Sequence, residues 1–207
     1  MVLRALIADD HELFRSGLKQ LLVDKFGSVE VREAKTLDDA IDLLTAEGGG
    51  DIILVDLRMP GMSGVEALSA LRDGFPNTRV AVVSGFDERA EIMAALGAGV
   101  HGYIPKSLSG GEIAAAIKTI LDGGIYAPAA LGRRDPERSL PSANALDADK
   151  LTGRQKEVLA ELLKGQASKE IARGLGIAEG TVKIHLAAIY RALGVRTRAE
   201  AIARLRS

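Results

Sequence analysis

The chain is 207 residues long, contains no cysteine and carries a formal net charge of −1. That length suits two domains with a modest core each, and the missing cysteines exclude disulfides and thiolate zinc sites. No apolar run approaches membrane-spanning length, and Met1 to Arg4 leads into a predicted strand without a signal-peptide pattern, so a cytoplasmic protein with no membrane association is expected.

Five short apolar runs predict strands: Leu3 to Ala8, Val29 to Ala34, Ile52 to Val55, Arg79 to Val83 and Gly102 to Ile104. Between them apolar residues recur at helical spacing, as in Phe14, Leu18, Leu21 and Leu22, or Leu37, Ala40, Ile41 and Leu44. Val65, Leu68 and Leu71 mark a third helix, Ile92, Ala95 and Leu96 a fourth, and Ile113, Ala116, Ile117, Ile120 and Leu121 a fifth. Alternating strands and helices predict an α/β domain over residues 1–125, with a doubly wound five-stranded parallel sheet covered on both faces.

Residues 126–146 lose the periodicity and contain Pro128, Pro136, Pro141 and the charged run Arg133 to Arg138, the composition of a linker. Residues 147–207 read as a smaller, all-α domain. Thr152 and Gln155 have capping-box spacing ahead of Val158, Leu159, Leu162 and Leu163. A second helix is predicted from Ser168 to Leu175, Gly176 supplies a tight turn, and a third helix runs from Glu179 to Leu193. That third helix should bury Val182, Leu186, Ile189 and Leu193, leaving Thr181, Lys183, Ile184, His185, Ala187 and Arg191 on or near other faces. Helix, glycine turn, helix is the pattern of a DNA reader. Charge is split accordingly: residues 1–125 hold 12 Lys/Arg against 19 Asp/Glu, and residues 150–207 hold 12 against 5. A basic C-terminal half suggests a polyanionic partner.

Asp9, Asp10, Asp56, Ser84 and Lys106 all fall at the downstream ends of predicted strands, which share one rim of an open parallel sheet. Crowded carboxylates call for a cation, and oxygen-only ligation favours a hard ion such as Mg²⁺. Lys106 adds positive charge and Ser84 a hydroxyl, a set suited to the oxygens of a transferring phosphoryl group, with Asp56 placed as nucleophile. His11 reads as a loop or helix-entry residue.

Asp9-Asp10-His11, the run Asp56 to Gly64, Ser84-Gly85 and Tyr103-Ile104-Pro105-Lys106 resemble the receiver domain of two-component response regulators, a flavodoxin-like fold. The resemblance implies that Asp56 is the phosphoacceptor and that Asp10, Asp56 and the backbone carbonyl of Arg58 hold Mg²⁺, with Asp9 acting through water. It also implies that Lys106 pairs with the phosphoryl group and that Ser84 and Tyr103 form the switch pair. Ser84 stands where threonine is commoner, and Pro105 precedes Lys106 where many receivers have a proline after it.

The stretch from Leu151-Thr152 through Lys169-Glu170-Ile171-Ala172, Gly180 to His185 and Leu193-Gly194-Val195 resembles the LuxR-type helix-turn-helix of NarL/FixJ-class regulators. By that resemblance the third helix enters the major groove, with Lys183 and Ile184 toward bases and Thr181 and neighbouring polar groups toward phosphates, and His185 and Arg191 are counted with them as DNA-binding residues. Ala187 replaces a base-contacting lysine of some relatives, and Ala178 a serine N-cap. The expected protein is a transcription factor controlled by a sensor histidine kinase, binding promoter DNA as a homodimer when active. It is not an enzyme apart from self-catalysed phosphotransfer and autodephosphorylation. The acidic half is expected to mask the basic one. Two rivals are a DNA-binding regulator whose receiver takes no phosphate, and a Mg-dependent phosphohydrolase with an aspartate nucleophile.

Overall fold

A computed structural model describes residues 2–128, 151–195 and 197–206. The parallel sheet has strands β1 (Leu3–Ala8), β2 (Val29–Ala34), β3 (Ile52–Val55), β4 (Arg79–Ser84) and β5 (Gly102–Pro105) in the order β2-β1-β3-β4-β5. Helices α1 (Glu12–Phe26), α2 (Leu37–Glu47), α3 (Val65–Gly74), α4 (Arg89–Gly97) and α5 (Gly110–Leu121) connect and cover it. Strand order reverses between β1 and β3, which opens a crevice at their downstream ends.

Alternate strand residues enter two separate cores, so nearly every position must be apolar. Leu6, Ala8, Ile53, Val55, Val80 and Val82 face α2, α3 and α4, while Ala5, Ile7, Ile52, Leu54, Ala81 and Val83 face α1 and α5. The ends of the helices use predictable devices. Thr36 Oγ1 accepts the backbone N–H of Asp39 to start α2, and Ser109 and Glu112 form a reciprocal capping box at α5. Tyr126, where the sequence reading begins the linker, still pairs with β5: its N–H donates to His101 O and its carbonyl accepts from Tyr103. The rest of the expected linker, residues 129–146, lies outside the described residues. All peptide bonds of the described residues are trans, the Pro105-Lys106-Ser107 stretch included.

The C-terminal helices are α6 (Gly153–Leu163), α7 (Ser168–Leu175), α8 (Glu179–Ala192) and α9 (Arg198–Arg206). The capping box of Thr152 and Gln155 is formed, and Gly176 takes the left-handed conformation, φ 68°, that closes the turn between α7 and α8. Val182, Leu186, Ile189 and Leu193 join Val158, Leu162, Ile171 and Ala201 in this domain's own core. Ala178 is the N-cap of α8 and offers no side-chain acceptor.

Helix α8 is buried on nearly all sides, because its second face lies against α2 and α3 of the α/β domain. Ile184 and Ala187 belong to the same apolar cluster as Leu37, Leu71 and Phe75.

Candidate functional site

The rim is built by chain geometry. β1, β3 and β5 end at one edge and deliver Asp9, Asp56 and Lys106 there, with Ser84 closing β4. Asp9 and Asp56 are each 2% exposed, Ser84 is fully buried, and Asp10 faces outward. Lys106 Nζ stands 2.8 Å from Asp56 Oδ2 and 2.7 Å from Asp9 Oδ2. Burial works to lower the proton affinity of this amine, but hydrogen bonds and charge from Asp56 and Asp9 outweigh it and hold Lys106 above the ordinary lysine value. The Lys106 ammonium also lies 4.7 Å from the centre of the Phe14 ring.

Two carboxylates, those of Asp9 and Asp56, converge on this one ammonium, and ligand atoms of Asp9, Asp10, His11 and Asp56 lie within 4.8 Å of one another. The acidic pocket is compatible with a divalent cation. His11, read as a loop or helix-entry residue, is the N-cap of α1 and also brings its ring to the carboxylates, with Nδ1 2.9 Å from Asp10 Oδ1 and 3.1 Å from Asp9 Oδ1. Its adjacency to Asp10 was the available signal. Arg15 was not singled out in the sequence; it is 4% exposed, and its Nη1 donates to the carbonyl of Asp9 at 2.7 Å, bracing the loop from beneath.

Ser84 Oγ accepts the N–H of Phe86 at 3.2 Å, and the buried hydroxyl of Tyr103 donates to Phe86 O at 2.7 Å. Desolvation raises the Tyr103 phenol above its usual value, so the hydroxyl stays a donor. The Tyr103 ring is thus turned inward behind Ser84. Arg58 lies over the Phe86 ring and pairs with Glu91 at 3.3 Å.

The second site is α8, and all five of its expected DNA-contacting residues meet the α/β domain or are buried beside it. Thr181 Oγ1 and Ser63 Oγ share a hydrogen bond of 2.9 Å, and Lys183 forms an ion pair with Asp38. That pairing, above all the hydrogen bond to Asp38, raises the proton affinity of Lys183. Ile184 is fully buried, and Arg191 stacks 4.8 Å from the centre of the Phe75 ring. His185 is 4% exposed, and neither ring nitrogen has a hydrogen-bond partner among the described residues. Backbones approach closely here too: a Cβ on Gly180 would stand 3.0 Å from Gly61 O, and one on Gly74 would stand 2.9 Å from Ile184 Cγ2.

A parallel sheet with an acidic rim, an inward tyrosine and an attached helix-turn-helix defines a signal-receiving regulator. The chain matches the family described as response regulator receiver domain over residues 5–118, and that described as bacterial regulatory proteins, luxR family, over residues 149–205. It is 38% identical over 206 residues to the glycerol metabolism activator of Pseudomonas putida, covering 96% of this chain and 93% of that protein. It is 35% identical to the nitrate/nitrite response regulator protein NarP of Escherichia coli, covering 96% and 92%. A LuxR family DNA-binding response regulator from Silicibacter pomeroyi superposes with a TM-score of 0.56 at 37% identity, over 62% of this chain and 99% of that one. Salmonella RcsB, solved bound to the promoter rprA with a phosphomimetic, shares the fold over 98% of both chains at 21% identity, TM-score 0.55.

The chain belongs to the two-component response regulators of the NarL/FixJ class, in which a receiver is joined to a LuxR-type DNA-binding domain. It is a transcriptional regulator.

Proposed function

We propose that this regulator accepts a phosphoryl group from a sensor histidine kinase on Asp56 and that the modification releases α8 from the receiver for promoter DNA. The single observation that carries this reading is the position of the loop leaving Asp56. Within it Pro60 O accepts the N–H of Leu37 at 2.9 Å, Gly61 O abuts Gly180, and Ser63 bonds Thr181. The loop that starts at the phosphoacceptor therefore ends against the first turn of the reading helix.

In the transfer, one carboxylate oxygen of Asp56 bonds to phosphorus as the bond from phosphorus to the kinase imidazole nitrogen breaks, the nitrogen keeping the electron pair. Lys106 is already seated beside Asp56 and pairs with the incoming oxygens, and Ser84 donates its hydroxyl to one of them. Asp10, Asp56 and the backbone carbonyl of Arg58, with Asp9 through water, would hold a magnesium ion, which when bound would neutralise charge on those oxygens. The carboxylate-rich donor set around a single ammonium supports that fit.

The adduct brings roughly one and a half to two negative charges at neutral pH. It shifts the protein only by binding one arrangement better than the other. Ser84 and Tyr103 are the switch pair, and the undocked α8 presents Thr181, Lys183, Ile184, His185 and Arg191 to the DNA. The boundaries of this reading are a receiver at 1–125, a linker at 126–146 and a reader at 147–207. The active form is a homodimer in the cytoplasm, and the chain is no enzyme beyond its own phosphotransfer and dephosphorylation.

Intact-mass spectrometry after incubation with acetyl phosphate and Mg²⁺ tests the first step. One phosphoryl adduct is expected on the wild type and none on Asp56→Asn. An unmodified wild type, or an adduct that survives the substitution, overturns the assignment of Asp56.

A further inference from the structure

The loop that leaves Asp56 is gripped on its way to α3, and the grip begins at the phosphoacceptor itself. The N–H of Arg58 donates to Asp56 Oδ1 at 3.2 Å while Lys106 Nζ holds Oδ2 at 2.8 Å, so both carboxylate oxygens are engaged. Met59, next in the chain, is 2% exposed and anchored in the core beneath α2 and α3. Pro60 O accepts the N–H of Leu37, and Gly61, at φ 89°, lies against the same leucine, where a Cβ would stand 3.0 Å from Leu37 Cβ. Helix α8 closes the other side. A Cβ on Gly180 would stand 3.0 Å from Gly61 O and 3.1 Å from Leu37 Cδ2, and Ser63 Oγ meets Thr181 Oγ1 at 2.9 Å. The loop is therefore wedged between the start of α2 and the first turn of α8.

We propose that the docked reader brakes phosphoryl transfer to Asp56, and that double-stranded DNA, by holding α8 away from the loop, is an activator of that transfer. The proposal rests on Asp56 as phosphoacceptor and adds how its reactivity is regulated. In the transfer, a carboxylate oxygen of Asp56 bonds to phosphorus while the bond from phosphorus to the donor breaks, the donor leaving with the electron pair. An oxygen that attacks must first give up a hydrogen bond. The Arg58 N–H then needs a new acceptor, which the arriving phosphoryl oxygens offer. That exchange moves the backbone at Arg58, just before Pro60, and a loop pinned at Met59, Pro60, Gly61 and Ser63 resists it. Once α8 has left, the contacts at Gly61 and Ser63 are gone and the backbone turns more readily. DNA selects this freed form, since α8 cannot face the receiver and a duplex at once. Linkage between the adduct and docking constrains equilibria only, so the rate of acceptance is a separate property.

Locking the grip tests it. The chain has no cysteine of its own, so Ser63→Cys combined with Thr181→Cys, at the two hydroxyls that meet, gives a single disulfide that oxidation closes and reductant opens. With acetyl phosphate and Mg²⁺, followed by intact mass against time, the oxidised pair should accept the phosphoryl group about tenfold more slowly than the reduced pair, a factor usual for coupled sites. A mixed-sequence duplex at low salt, where phosphate contacts carry the binding, should at saturation speed acceptance in the wild type and leave the oxidised pair unchanged. Gly74→Ala, whose Cβ would stand 2.9 Å from Ile184 Cγ2, needs no disulfide and should speed acceptance without DNA. Equal rates in the oxidised and reduced pair, a wild type indifferent to the duplex, or a Gly74→Ala protein no faster than the wild type each overturns the brake. An adduct that still forms on Asp56 in those cases leaves the underlying reading intact. No adduct in any of the proteins removes Asp56 as phosphoacceptor, and the brake with it.

Discussion

Arg15 shows what a single buried charge does for the acidic rim. Its guanidinium holds the Asp9 carbonyl at 2.7 Å and lies 3.6 Å from Glu33 through Nε, so one side chain ties the loop after β1 to β2. Removing a partner from a buried carbonyl costs about 1–3 kcal/mol. Arg15→Met should therefore lower the thermal midpoint by several degrees and slow phosphoryl acceptance, both read on purified protein; an unchanged midpoint would contradict the bracing role. Asp9, Asp10, Asp56, Ser84 and Lys106 were legible in the sequence because parallel strands bring their downstream ends together whatever the side chains do. Arg15 and the ring contacts of His11 were not, since the first depends on the direction a side chain takes from the first turn of α1 and the second on the rotamer of the extended N-cap residue before it, neither of which periodicity specifies.

At the level of the helix, α8 carries two conflicting demands. Its inner face of Val182, Leu186, Ile189 and Leu193 was readable from spacing and forms the expected core. Its outer face was read as a DNA surface, and the charge split suggested that masking by the receiver would be electrostatic. The docked arrangement instead has an apolar centre, with Ile184 and Ala187 against the receiver's own core, and charges only at the rim. Burying an isoleucine contributes roughly 1.5–3 kcal/mol, against about 0–1 kcal/mol for an exposed ion pair. Lys183 and Asp38 are 39% and 47% exposed, so their pair belongs to the second class. Asp38→Asn should change the DNA affinity of the unphosphorylated protein less than about fivefold. Gly74→Ala, whose Cβ would press on Ile184, should raise that affinity by about tenfold, as measured by fluorescence anisotropy. Equal effects of the two substitutions would contradict an apolar latch.

Protonation acts on the same helix. Burial, then the charge of Arg154 from α6, lowers the proton affinity of His185 below its ordinary value of 6.5, against the opposing pull of Asp73 and Glu66 on α3. The docked state thus binds fewer protons at His185 than an undocked state with the ring in water. Docking is at full strength above the ordinary value and weakens as pH falls below it. The radius of gyration from small-angle scattering should grow between about pH 7.5 and about pH 5.5 in the wild type. It should grow less in His185→Asn. His101, lowered chiefly by burial, accepts the N–H of Val80 and weakens the receiver in the same direction, so the difference between the two proteins isolates α8. Identical curves would remove His185 from the latch.

For the whole molecule, the central claim is that one side chain at the end of β3 decides whether the reading helix is covered. The sequence showed both modules, but not their arrangement. Docking places α8 on α2 and α3, where only three-dimensional shape brings Gly61, Ser63 and Gly74 against Gly180, Thr181 and Ile184. The absence of cysteine allows two labels to be introduced cleanly. A donor and acceptor dye pair on Asn77→Cys, in the turn after α3, and Lys169→Cys, on α7, reports the separation of the two domains by resonance energy transfer. Full conversion to the Asp56 adduct should lower transfer efficiency, and the same treatment of the Asp56→Asn protein should leave it unchanged. Undiminished transfer in a fully phosphorylated sample would contradict the account.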